Sequence, residues 1–69
     1  MKLTKGMTTE EMTAMIEASA WEVMDDEEYE YEDGTVERDL TIWQTDHAVA
    51  VELSDGVVTD LQYVPEWAL

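Results

Sequence analysis

Carboxylates are the one kind of reactive side chain this sequence holds in quantity. Eighteen Asp and Glu stand against three Lys and Arg in 69 residues, for a formal net charge of −15. Other groups able to carry chemistry are isolated. His47 is the only histidine, and on an alternating stretch it reads as a structural or edge residue. Ser19 falls in a helical stripe and Ser54 in a turn, neither beside a base that would activate it. Three scattered glycines make no phosphate-cradling loop. The run Asp25-Asp26-Glu27-Glu28-Tyr29-Glu30 lacks the glycine required at the sixth position of an EF-hand loop. With no cysteine there is neither a disulfide framework nor a thiolate metal site. Carboxylate pairs suited to acid–base work abound, yet nothing singles out two of them. The expectation is a protein that is no enzyme, holds no metal and uses no cofactor.

The acids are not spread evenly. Asp25 to Asp33 holds seven carboxylates in nine residues, and ten of the eighteen lie between Glu22 and Asp39. With a pI near 4.1, direct binding to nucleic acid is excluded, because phosphates need cations. An anionic lipid surface is excluded by the same sign. No apolar run approaches the ~20 residues that span a bilayer, and no apolar stretch follows Lys2 and Lys5 to make a signal peptide. The expected location is the cytoplasm.

The chain has the size of one small domain, 1–69, whose burial margin is thin. Hydrophobic residues make up 45% of it, too many for a disordered acidic tail. Thr8 followed by Glu11 has capping-box spacing. Behind it Met12, Met15, Ile16, Ser19, Ala20 and Val23 recur at three and four. This predicts a helix from about Thr9 to Ala18 or Ala20. Trp21 to Glu28 is left open between a longer helix and an irregular strand.

Beyond it the period becomes two. Tyr29 to Glu32 alternates, and Asp33-Gly34 reads as a two-residue hairpin turn. Val36 to Trp43, then His47 to Leu53, then Val57 to Tyr63 alternate in their turn, separated by Thr45-Asp46 and Ser54-Asp55-Gly56, with Pro65 closing the last. The predicted fold is α+β: one N-terminal helix packed on a four-stranded antiparallel meander. The predicted registers pair Tyr31 with Val36, Tyr29 with Arg38, Ile42 with Val49, Leu40 with Val51, Leu53 with Val57 and Val49 with Leu61.

Those registers set Glu30 opposite Glu37 and Glu28 opposite Asp39 on the outer face, continued by Glu32, Glu52 and Asp60. Directly opposed like charges are destabilising, which suggests a face kept for a cationic partner. With Asp26 and Trp43 these acids form the expected partner-binding set. Trp43 falls on the outer face near Ala48 and Ala50, either as an interface anchor or buried under the tail with Trp67 and Leu69. Trp21, Tyr29, Tyr31 and Tyr63 are expected on the core face, with Tyr29 stacked on Arg38.

Two resemblances bear on function. Lys5-Gly6-Met7-Thr8-Thr9-Glu10-Glu11-Met12 resembles the helix opening of the SmpA/OmlA-like unit, and Val51 to Val58 resembles its strand–Asp-Gly–strand close. That likeness implies a helix on a sheet and a small protein-interaction or assembly module. In character the chain is similar to phage-borne DNA mimics, several anti-CRISPR proteins among them: tiny, acidic, cysteine-free and without catalytic motifs. Alternate strand residues lie roughly 6.6 Å apart, near the step between successive phosphates of one nucleic-acid strand. The functional expectation is therefore a stoichiometric inhibitor, a monomer or weak dimer. It would imitate nucleic-acid charge and occupy the basic groove of a nucleic-acid-binding protein such as a CRISPR effector subunit.

Overall fold

Thr8 starts the helix as its spacing requires. Its hydroxyl accepts from the Glu11 amide at 3.2 Å, and the Glu11 carboxylate accepts from the Thr8 amide at 3.1 Å. In the computed structural model, which describes residues 2–68, α1 runs Thr9–Ser19. Ala20 ends it in the left-handed conformation, φ 55. The Trp21 amide then reaches back to the Ile16 carbonyl at 3.2 Å, so the last turn closes on itself.

Four strands follow as an antiparallel meander in the order β1-β2-β3-β4: β1 Glu22–Glu30, β2 Val36–Trp43, β3 His47–Ser54 and β4 Val57–Pro65. The α+β architecture is the one expected. Trp21 to Glu28, left open by the sequence, is the end of a turn followed by strand. A short 3-10 turn, Glu66–Ala68, comes last.

The core lies between α1 and one face of β2, β3 and β4. Met12 on the helix and Leu40, Ile42, Val51, Leu53 and Val58 on the sheet are buried, with Leu3 from the N-terminal segment. Met15, Ile16, Trp21, Val49 and Leu61 pack around them half-buried. The N-terminal segment is tied to the start of β4: the Gly6 amide donates to Val58, and the Val58 amide donates to Met7, both at 2.8 Å.

The middle register is the expected one, Ile42 opposite Val49 and Leu40 opposite Val51. The outer two are corrected. The first hairpin turns through three residues, Glu32 to Gly34, not two. The Tyr31 amide donates to the Thr35 carbonyl at 2.8 Å, Gly34 sits at φ 90, and Asp33 accepts from the Thr35 amide at 2.9 Å. Glu30 therefore faces Val36, Tyr29 faces Glu37, Glu28 faces Arg38 and Glu27 faces Asp39. The expected two-residue turn would have opposed two carboxylate pairs across β1 and β2. The longer one leaves a single such pair and sets Glu28 against a cation.

The last hairpin is shorter than expected. Asp55 and Gly56 both have positive φ, 49 and 81, as a type I′ turn demands. Leu53 consequently faces Val58, and Val49 faces Tyr63. Register irregularities lie between Val23 and Asp25 and between Glu52 and Leu53. Strict alternation cannot put both Val58 and Leu61, three apart, on one face. The second irregularity does so, as a bulge that absorbs one residue.

Thr45 begins the β2–β3 turn at φ 93, a conformation costly for a β-branched residue and favoured by glycine in a type II′ turn. Thr45→Gly should stabilise the fold by about 0.5–1 kcal/mol after the added unfolded-state entropy is offset. Thermal unfolding followed by circular dichroism should then show a melting temperature a few degrees higher. An unchanged or lower value would contradict the assigned turn.

Candidate functional site

Residues directly across an antiparallel ladder share a face, so the observed registers determine where each acid stands. On the face away from α1, Glu27 opposes Asp39, Asp39 opposes Glu52, and Glu52 opposes Asp60. One carboxylate from every strand thus stands in a single row, with neighbours about 4.5–5.5 Å apart at Cβ. All four residues are exposed. Glu37 flanks the row on one side and Asp25 on the other, each two residues along its strand from a member.

Two tyrosines are built into this surface. The Tyr29 hydroxyl donates to Glu27 at 2.7 Å, and the Tyr31 hydroxyl donates to Glu37 at 3.2 Å. Both rings are about half exposed, and Tyr63 is more so. The expected core placement of Tyr29 and Tyr31, and the stacking of Tyr29 on Arg38, are therefore corrected: the three-residue turn moves both to the outer face, whereas Tyr63 stands opposite Val49 on the helix side as expected but is not buried there. A phenol that donates to a carboxylate resists ionisation. Both hydroxyls are held above the ordinary tyrosine value, first by that hydrogen bond and then by the charge of the same carboxylate.

Of the expected partner-binding set, Glu37, Asp39, Glu52 and Asp60 come together on the outer face. Asp26, Glu28 and Glu30 do not, because the one-residue register change turns them to the helix side. There Arg38 donates to both oxygens of Asp26, at 2.9 and 2.7 Å. This bidentate pair holds the Asp26 carboxyl below the ordinary carboxylate range and raises Arg38. Its stabilisation is in place at neutral pH and is lost as pH falls below about 4. Glu28 and Arg38 line an open cleft of about 360 Å³ with Thr9, Val36 and Leu53. Glu32 lies in the turn, outside the row. Glu27 and Asp25 were missed because a two-residue turn at Asp33-Gly34 puts them on the helix side.

Trp43 is on the outer face as expected, half-buried, opposite Glu22 and a fully buried Ala48. It lies two rows from the carboxylates. Trp67 is 87% exposed, and Leu69 lies outside the described residues. His47 caps the β2–β3 turn between Asp46 at 2.6 Å and Gln44 at 3.0 Å. Among the described residues no three His, Asp or Glu side chains converge as metal ligands would, and no helix is long and apolar enough to cross a membrane.

Two of the three cations have carboxylate partners. Arg38 is engaged on the opposite face, and Lys5 approaches the end of the row at Asp60, 3.7 Å away with both side chains mostly exposed. An exposed pair of this kind contributes little. No family model matches the chain, and neither a curated protein nor a solved structure matches it.

Spectrophotometric titration should detect the tyrosine contacts. Two of the three phenols should ionise above the usual value near 10, and Tyr29→Phe with Tyr31→Phe should remove that late phase. Because both shifts are upward, any stability they carry is present below pH ~10 and is lost as pH rises through the folded-state values. Three phenols ionising together near 10 would contradict the contacts.

Proposed function

We propose that this protein is a stoichiometric inhibitor whose outer sheet face imitates nucleic-acid phosphates and occupies the basic groove of a nucleic-acid-binding protein. The row Glu27–Asp39–Glu52–Asp60 carries this reading. Like charges set directly opposite one another cost stability, and a small domain has little to spare. A cationic groove would relieve that cost on binding, and the relief would add to affinity. Along the strands Asp25 and Glu27, or Glu37 and Asp39, stand roughly 6.6 Å apart, close to the phosphate step. A CRISPR effector subunit is the specific partner proposed, from the likeness of character to small acidic phage inhibitors.

A second reading is a protein-interaction module of the SmpA/OmlA-like type. One observation favours it: the two segments that carry the resemblance meet in space. The Thr9 amide donates to the Gly56 carbonyl at 2.9 Å, and Thr8 bridges to Val57. Salt separates the two readings. Charge mimicry should lose at least tenfold in affinity between about 0.1 and 0.5 M NaCl, whereas an apolar contact should barely change.

The test is titration of purified CRISPR effector complexes while binding of labelled target DNA is followed by anisotropy. DNA should be displaced at a one-to-one ratio. Asp39→Lys and Glu52→Lys should each weaken displacement at least tenfold. Each turns two opposed like-charge pairs into attractive ones, so each should also raise the melting temperature. Glu10→Gln and Glu17→Gln on the helix should leave displacement unchanged. Mimicry is wrong if the sheet reversals leave binding intact while Trp43→Ala abolishes it.

A further inference from the structure

The sheet has an edge that nothing covers among the described residues. β1 pairs only with β2, and all nine of its residues are exposed. At the other edge, the start of β4 is closed by the N-terminal segment through Gly6, Met7 and Thr9. Which groups of β1 are free follows from its ladder. The Tyr31 amide bonds across to Thr35, and bonded positions alternate in an antiparallel pair. Tyr29 and Glu27 therefore turn their backbone groups toward β2, while Asp26, Glu28 and Glu30 turn theirs outward. The Asp26 amide fits this phase, because it donates to the neighbouring Asp25 carboxylate at 3.1 Å and not across the sheet. The amides and carbonyls of Glu28 and Glu30 remain as a template for another strand.

Natural edges of this kind are commonly guarded by lysine, proline or a covering element. This one carries none of them between Asp25 and Glu30. Carboxylates stand on both faces instead, Asp26, Glu28 and Glu30 toward the helix side and Asp25 and Glu27 toward the outer side. A second copy of the chain would bring carboxylate against carboxylate, which disfavours self-pairing. A cationic strand meets the opposite condition, since its main chain satisfies the edge and its side chains neutralise both faces.

We propose that β1 receives an added strand from the partner, an extended protein segment with Lys or Arg at alternate positions, paired through its main chain to Glu28 and Glu30. This rests on the cationic partner of the preceding reading and specifies how that partner is held: by strand addition beside the outer row. Charge alone would give a diffuse, orientation-free encounter, whereas the edge supplies a register.

The test uses the isotope-labelled full chain and two synthetic nonapeptides of alternating Lys and Thr, one plain and one N-methylated at alternate positions so that it keeps its charge and loses main-chain donors. The plain peptide should slow amide exchange at Glu28 and Glu30 at least tenfold at saturation. The methylated one should bind at least tenfold more weakly and give no protection. Glu28→Pro, which removes an outward-facing amide that a proline can replace on an edge strand, should abolish the difference between the peptides. Equal affinity of the two peptides for the unaltered chain, or binding without protection at Glu28 and Glu30, overturns the proposal. Salt-sensitive shifts confined to Asp39, Glu52 and Asp60 would overturn strand addition and leave mimicry standing. Edge protection together with failure to displace DNA in the effector titration would do the reverse.

Discussion

The helix is smaller than the sheet it has to cover, and the rest of the molecule answers to that mismatch. Eleven residues of α-helix are about 16 Å long, while strands of eight or nine residues run to roughly 27–30 Å. The helix meets β2, β3 and β4 through Met12, buried in one cluster with Leu40, Ile42, Val51, Leu53 and Val58. It leaves β1 wet on both sides. A strand with two wet faces has no apolar stripe to specify, so its sequence is free to carry six acids in nine residues. The acids concentrate there because that is the part of the fold with least use for anything else.

With little packing to fix it, β1 takes its register from charge and turn chemistry. Arg38 decides much of it. It is half-buried between Val36 and Leu40 on the helix-side face. The three-residue turn gives it the two oxygens of Asp26 and sets Glu28 across the strand. One opposed carboxylate pair, Glu27 with Asp39, survives between β1 and β2. It extends without interruption through Glu52 to Asp60, so the repulsion relieved on one face is kept on the other.

Much of this was legible in the sequence, and the residues show where legibility ended. Thr8 and Glu11 marked the helix start because a capping box is local. The β2–β3 register followed from Leu40, Ile42, Val49 and Val51, whose alternation admits only one core face. The registers of the outer strands did not follow. Gly34 suits either a two- or a three-residue turn, and the three-residue one is the turn that accompanies the Arg38–Asp26 pair. The irregularities beside Met24 and Thr59 each shift parity by one, and such a shift reverses every assignment beyond it. Asp26, Glu28 and Glu30 were placed on the wrong face because the β1–β2 turn holds three residues and not two. Glu37, Asp39, Glu52 and Asp60 were placed correctly, because β2 is read from its own alternation and a bulge at Thr59 restores the parity that the turn assignment at Ser54 had missed.

The account turns on repulsion between carboxylates held in one row, and a double-mutant cycle measures it directly. Asp39→Asn, Glu52→Gln and the double variant would be compared by denaturant unfolding at low and high salt. The row predicts an unfavourable coupling between the two carboxylates of about 0.2–1 kcal/mol at low ionic strength, shrinking toward zero in molar salt. A coupling that is zero or favourable at low salt would mean that the two side chains do not share a face, and would contradict the account.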